Sequence, residues 1–359
     1  MSAVKVIAEA GVNHNGEPKK AFELIDVAKE AQADYVKFQS FDPEALVTSS
    51  VSMARYQKTN TGVEQSQLEM LKKLSLSQST QAELKKYADQ VGIGFLSTPF
   101  EEHSLKFLVK ELGLSEIKIS SGDLTHIPLL VAAANQGVSL ILSTGMANLS
   151  EIETALDAVS FGLSSADLPS QSSDFEGLFF KDSKLRAEVK KRVTLLHCIS
   201  DYPAPLEQAN LSCIQTLRDR FGCQVGFSDH TEGLLGSLVA TSLGAKVIEK
   251  HFTLSRDLPG PDHRASLDPK QLKEFVQQIR LVERALGQGH KEPTQSEAEN
   301  IPLVRKYIVA ARDLAQGKVL NVDDLTFKRS GGGLEPKLLW EIVGQKSNRA
   351  YQKDEPIEW

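Results

Sequence analysis

Eight short apolar runs, each followed by a polar cluster and then a helical pattern, constrain this 359-residue chain more than any other feature. The runs are Val4–Ala8, Tyr35–Phe38, Ile93–Leu96, Glu116–Ile119, Leu140–Leu142, Val193–Leu196, Gln224–Phe227 and Lys246–Ile248. Nearly continuous apolar strands alternating with helices indicate a parallel sheet covered on both faces. Eight such units within residues 1–287 predict an α/β fold, a closed (β/α)8 TIM barrel. A helical pattern over Pro269–Leu286 closes it. Residues 288–302, rich in Gly, Pro and polar side chains, read as a linker. Residues 303–359 carry strand-like pieces, YIVAARDL and LTFKRSGGG, in a domain too small to bury a sufficient core alone. Docking on a partner surface is expected of it.

Two stretches interrupt the regular pattern. Residues 42–75, containing RYQKTNTG and VEQSQLEMLKKL, form a long connection after the second strand. Residues 164–192 insert before the sixth strand and read as a surface excursion on the N-terminal side of the barrel, away from the chemistry.

The polar clusters are EAGVNHNG, KFQSF, STPF, KISSGD, STGM, HCISDYPAP, GFSDHT and EKHFT. Loops are polar anyway, which explains one cluster easily. Eight clusters rich in Lys, His, Ser, Asp and Glu fit better an active face at the C-terminal strand ends. His230 and His251 end the last two strands, where two imidazoles with oxygen ligands suit a divalent transition metal. Two unrelated loop histidines are the alternative. Lys37 and Lys118 point inward at a cost unless paired with an anion. Phosphate and carboxylate are natural partners, with Ser97, Ser121, Ser143 and Ser228 as hydroxyl donors. Salt bridges to Glu9, Asp123 or Glu249 are the competing explanation. Glu9, Asp123, Asp229, Glu249 and Asp262 are the candidate acids, bases and hydroxyl ligands. Asn13, His14 and Asn15 either cap the first helix or serve the site.

Composition narrows the class. A formal charge of −6 argues against a nucleic-acid surface, and no apolar run approaches a membrane span. The start MSAVKVIAEAG is interrupted too early by Glu9 for a signal peptide. Three cysteines, Cys198, Cys213 and Cys223, without metal-type spacing, fit a reducing, cytoplasmic setting.

At these residues the chain resembles the N-acetylneuraminate (sialic acid) synthase family over nearly its whole length. AEAGVNHNG, VKFQSF, FLSTPF, KISSGD, LSTGM, LLHCISDYPAP, GFSDHT, EKHFTL and PGPDHRAS occur in the family's order, followed by an EPTQSE-type linker. YIVAARDLAQGKVL and KRSGGG resemble the antifreeze-like (SAF, β-clip) domain that ends these enzymes. The resemblance implies a transferase that condenses phosphoenolpyruvate with N-acetylmannosamine and water, giving N-acetylneuraminate and phosphate. A 2,4-diacetamido-trideoxyhexose leading to N,N'-diacetyllegionaminate or pseudaminate is the nearest alternative acceptor, a choice on which the RYQKTNTG stretch and the Asp123 and Ser200 positions bear. A Schiff-base aldolase using Lys118 and a non-catalytic sugar-binding module are more remote.

By the same resemblance, His230 and His251 match metal ligands, usually of manganese, with magnesium or cobalt as substitutes. Lys37, Lys118, Ser121, Ser143 and Ser228 match residues around phosphoenolpyruvate, with Tyr202 beside them, and Gln39, Ser97, Asp123 and Ser200 are further substrate-binding candidates. Glu9 matches a carboxylate near the aldehyde, Glu249 one proposed to assist proton transfer, and Asp262 a binder of sugar hydroxyls. Arg329 matches an arginine that a second subunit extends to the acetamido group, in a homodimer with exchanged C-terminal domains. Some members carry glutamate at the position of Asp123 and asparagine at that of Ser200.

Overall fold

The computed structural model describes residues 3–63 and 65–358. The chain divides into two units, Met1–Gly287 and Gln288–Trp359. In the first, eight parallel strands run β1 (Lys5–Gly11), β2 (Tyr35–Ser40), β3 (Gly94–Pro99), β4 (Glu116–Ile119), β5 (Ser139–Ser143), β6 (Val193–Cys198), β7 (Gln224–Asp229) and β8 (Val247–His251). Their order around the sheet is β3-β2-β1-β8-β7-β6-β5-β4, a nearly closed TIM-like barrel.

Around the sheet run α1 (Pro18–Glu30), α2 (Pro43–Leu46), α3 (Arg55–Thr61), α4 (Gln67–Leu74), α5 (Gln78–Val91), α6 (Glu102–Lys106) and α7 (Ile127–Asn135). They continue with α8 (Leu149–Ser164), α9 (Leu178–Lys181), α10 (Ser183–Arg192), α11 (Cys213–Phe221), α12 (Leu235–Ser242) and α13 (Pro269–Leu286). The last keeps the bounds expected from sequence. Asp268 accepts from the Gln271 amide at 2.8 Å, Gln271 Oε1 accepts from the Asp268 amide at 3.0 Å, and Pro269 opens the first turn. Leu272, Phe275, Val276 and Ile279 then form one buried stripe at helical spacing.

Period-2 alternation sorts the strand residues. Ile7, Leu96, Ile141, Leu196 and Val247 plug the barrel interior, whereas Val36, Phe38, Phe95, Ile117, Leu140, Leu195, Phe227 and Ile248 join the helix-facing core. The observed strands extend two or three residues beyond most of the apolar runs. Glu9, Thr98, Cys198, Ser228, Glu249 and His251 are therefore strand residues. A TIM barrel's top interior layer belongs to its active face, so polarity there marks a side-chain layer and not a loop.

Both interruptions are folded. The stretch after β2 winds into α2, α3 and α4, with a small core of Val12, Phe41, Met53, Met70, Leu71 and Leu74. The stretch before β6 buries Phe179 and Val189, and Asp157 accepts from the Gly177 and Phe179 amides at 2.7 and 2.8 Å. It is a folded surface excursion, with Phe175, Phe179 and Val189 as its buried residues.

In the second unit, β9 (Tyr307–Ala310) pairs antiparallel with β10 (Leu325–Lys328), from Leu325↔Ala310 to Lys328↔Tyr307. This unit has a small core of its own, which includes Ile308, Leu314, Leu320, Ile342, Tyr351 and Ile357. The expected linker is largely a helix, α14 (Gln295–Val304). Its capping box, Thr294 with Glu297, stands in the sequence as TQSE, a helix-start signal hidden in polar composition.

Candidate active site

A cavity of about 700 Å³ opens at the C-terminal strand ends, where the barrel rule puts an active site. Of the candidate site residues, Ser97, Asp229, Arg329 and the Asn13–Asn15 stretch do not line it, and the others do. Ser97 pairs in register with Phe38, while Lys37 pairs with Leu96 and Gln39 with Thr98. Alternation therefore turns Ser97 toward the helices, where its Oγ lies 2.7 Å from Ser40 Oγ. Thr98 takes its place in the cavity and accepts from Lys37 Nζ at 3.2 Å. Arg329 is exposed in the second unit, just past β10.

Four charges occupy the floor. Lys37 Nζ lies 2.6 Å from Glu9 Oε2 and 3.6 Å from Glu249 Oε2. Lys118 Nζ donates to Glu249 Oε1 at 3.2 Å, and Ser228 Oγ donates to the same oxygen at 2.8 Å. All four charged residues are less than 5% exposed. Their environments drive the two carboxyls apart. Burial, only partly offset by Lys37, raises Glu9 to about 7. Burial also works against Glu249 ionising, but Lys118 and Lys37 outweigh it and hold Glu249 near 2. One carboxyl can thus carry a proton at neutral pH while its neighbour stays ionised, a division of labour suited to acid–base chemistry. Asp123 is not among the lysine partners; it accepts from Ser120 Oγ.

His230 and His251 meet above this floor with ring centroids 5.6 Å apart. His230 Nδ1 donates to the Ile199 carbonyl at 2.7 Å, which leaves its Nε2 free as a ligand. His251 Nδ1 is buried without a hydrogen-bond partner. Burial, then the neighbouring His230, hold His251 well below the usual histidine range, in the neutral form a metal needs. Among the described residues no group of three or more His, Cys, Asp and Glu is arranged to hold a metal ion. Two imidazoles with an orphaned nitrogen nonetheless fit a cation that takes its remaining oxygen ligands from substrate and water.

Glycines make the room. Gly11, at φ +52°, follows a register shift in β1, and a Cβ there would meet Glu9 Oε1 and His251 Cε1, each at 3.2 Å. Gly145 donates its amide to Ser121 Oγ at 3.0 Å, and a Cβ would strike Ser200 Oγ at 2.4 Å.

Asn13, His14 and Asn15 do not cap α1, whose N-cap is Glu17. Asn13 Nδ2 donates to the Phe252 carbonyl at 2.7 Å, and Asn15 Nδ2 to that of Pro259 at 2.8 Å, tying the end of β1 to the loop after β8. Asp229 serves the frame. It pairs with Lys250 at 3.0 Å on the helix-facing side, and Lys250 Nζ donates to the Thr231 carbonyl at 2.7 Å. Since Asp229 precedes His230 and Lys250 precedes His251, this buried pair fixes the backbone from which both imidazoles project. Asp262, buried, is raised to about 6.

Thr98, Cys198 and Tyr56 are among the lining residues that sequence reasoning did not assign to the site. Thr98 and Cys198 follow from strand alternation once the register is known. Tyr56 in α3 belongs to the RYQKTNTG stretch tied to acceptor choice but was not itself singled out; its ring lies 4.9 Å from that of Tyr202, which lies 4.0 Å from His230.

Comparison with known proteins agrees with this arrangement. The NeuB family model matches residues 24–291 and the SAF domain model residues 305–359. The chain is 42% identical to the N,N'-diacetyllegionaminic acid synthase of Campylobacter jejuni, covering 99% of each chain. It is 31% identical to human N-acetylneuraminate-9-phosphate synthase over 98% of this chain and 90% of that one. Among solved structures, N-acetylneuraminic acid synthetase from Leptospira borgpetersenii aligns with a TM-score of 0.66 at 35% identity, covering 84% of this chain and 90% of that one. With the barrel, the paired lysines and the C-terminal SAF domain all in place, the chain belongs to the NeuB family of nonulosonic acid synthases.

Proposed function

We propose that this protein is an N,N'-diacetyllegionaminate synthase. It condenses phosphoenolpyruvate with the open-chain aldehyde of a 2,4-diacetamido-2,4,6-trideoxymannose and water, and releases phosphate. The reaction class rests on one observation above all: two buried lysines share a single ionised carboxylate, Glu249, beside a protonatable one, Glu9. Such a floor is ready to exchange internal ion pairs for the phosphate and carboxylate of phosphoenolpyruvate. The acceptor rests on 42% identity to a diacetyllegionaminic acid synthase against 31% to an N-acetylneuraminate-9-phosphate synthase. This favours the diacetamido sugar over N-acetylmannosamine, the acceptor first expected from sequence. The Leptospira structure, at 35%, keeps N-acetylmannosamine as the rival.

In the proposed reaction the methylene carbon of phosphoenolpyruvate attacks the aldehyde carbon, and a carbon–carbon bond forms. Glu9 supplies a proton to the aldehyde oxygen as it becomes an alcohol. Water adds at the cationic carbon left behind, giving a tetrahedral intermediate that expels phosphate by carbon–oxygen cleavage. Lys37 and Lys118 hold the anionic groups and stabilise charge on the leaving phosphate. Glu249, freed as the lysines turn to substrate, orients the water and accepts its proton. A divalent cation, manganese by expectation, held by His230 and His251, would supply polarisation of the aldehyde oxygen.

Phosphate release from phosphoenolpyruvate with manganese, with each sugar in turn and with chelator, tests this reading. Turnover that favours the diacetamido sugar and stops with chelator is expected. Preference for N-acetylmannosamine overturns the acceptor, and no release with either sugar overturns the reaction class.

A further inference from the structure

The cavity has two chemistries. Its floor is ionic, but one flank is apolar and comes from Leu46, Val47, Met70, Leu71 and Leu74 of the connection after β2, with Phe100 after β3. Loops between strand and helix in such folds commonly run about 2–6 residues. Here the chain spends residues 43–74 on three helices and a separate small core before α5 begins at Gln78. The connection is held over the site at defined points. Asn60 Nδ2 donates to the Pro261 carbonyl at 2.7 Å, and Tyr56 packs on Tyr202.

The flank has little to give a hydroxyl group. Gln57, which also lines the cavity, has both ends of its amide committed: Oε1 accepts from the Ala54 amide at 2.8 Å, and Nε2 donates to Tyr56 Oη at 3.3 Å. Gln67 is the one other amide that the connection offers to the cavity among the described residues. A sugar hydroxyl pressed on Leu46 or Val47 would lose water without finding a partner, whereas a methyl group would gain by the same burial.

We propose that this apolar flank selects the acceptor, taking the methyl groups of a deoxygenated carbon and of an acetamido group and rejecting hydroxyls there. The inference rests on the condensation reaction proposed above and names the segment that chooses its sugar. Leu46 and Val47 are only half-buried, so they can be altered without opening the small core behind them. Val47→Thr keeps shape and adds one hydroxyl, and Leu46→Gln adds an amide.

The test compares kcat/KM for the 2,4-diacetamido-trideoxy sugar and for N-acetylmannosamine in wild type, in each variant and in the double variant. KM for phosphoenolpyruvate and the melting temperature are read alongside. In the double variant the preference for the diacetamido sugar is expected to fall roughly 10- to 100-fold, the usual worth of a small group in an apolar pocket. KM for phosphoenolpyruvate should stay within about twofold, since the ionic floor that holds it is unchanged. A wild-type enzyme that prefers N-acetylmannosamine overturns both the acceptor reading and this inference. If wild type prefers the diacetamido sugar and the variants keep that ratio, or lose both sugars in parallel while folded, the flank alone is overturned.

Discussion

Glu249, Lys250 and His251 are consecutive in β8, and alternation sends them to opposite sides of the sheet with opposite fates. Lys250 joins Asp229 under α12 in a pair with every strong partner filled. Asp229 Oδ1 accepts from the Thr231 amide and hydroxyl at 2.8 and 2.7 Å, and Oδ2 accepts from Ser237 Oγ at 2.6 Å beside Lys250. Glu249 joins Lys37 and Lys118 in a cluster left incomplete. Its Oε2 has no hydrogen bond, and neither has Ser143 Oγ or His251 Nδ1 nearby. Both groups are almost fully buried. A buried charge that is fully partnered holds the frame, whereas one left short of partners is arranged for a ligand.

That contrast can be broken by mutation. Lys37→Met should lower kcat/KM for phosphate release about a thousandfold, as removing one preorganised charge-stabilising group does. Stability at pH 6.5 should stay within about 1 kcal/mol, because Glu9 already favours its protonated form and Glu249 keeps Lys118. Urea unfolding and steady-state assays read the two effects separately. A variant that unfolds would put Lys37 in the frame after all. Asp229→Ala should do the reverse, costing about 3 kcal/mol by leaving Lys250 buried and unpaired. Manganese affinity, measured by calorimetry on the folded fraction, should fall with it, because the backbone under both imidazoles loosens. Unchanged stability would mean that this pair is dispensable.

How much of this was legible follows from the physics of each signal. The barrel could be read because eight buried strands must be apolar, and the closing helix because its stripe and caps coincide. The charged floor could be read as residues and as a set of possible partners, with Asp123 wrongly among them, but not as specific pairs. Lys37 chooses Glu9, and Lys118 chooses Glu249, through a register that only the closed sheet defines. Ser97 was misplaced by one step of alternation. The RYQKTNTG stretch that holds Tyr56 could be tied to acceptor choice, but the stacking of Tyr56 and the apolar flank were illegible, because helices with their own core look, in one dimension, like any other surface segment. The TQSE cap of α14 was legible, but its polar composition read as linker.

His14 sharpens the comparison as a third buried polar case, with no counter-ion among the described residues. It is 1% exposed, and its Nδ1 accepts from the Gly16 amide at 3.0 Å. Burial first, then nearby His263, bring it from 6.5 to about 4, although a backbone hydrogen bond at Gly11 opposes them. Between these values the unfolded chain binds the proton and the folded chain does not, so stability falls as pH drops through that window. At pH 5 the loss from this residue should be about 2 kcal/mol relative to pH 7. The wild-type curve alone would hide it. Glu9 and Asp262, raised by burial to about 7 and about 6, bind protons on folding and act in the opposite sense as pH falls. Subtracting a His14→Asn variant, which retains an acceptor for the Gly16 amide, isolates the histidine. The stability advantage of wild type over the variant should shrink by about 2 kcal/mol between pH 7 and pH 5 in urea unfolding. A gap that stays constant would mean that His14 takes up its proton in the folded protein as readily as in the unfolded one, so that burial without a counter-ion is not what governs it.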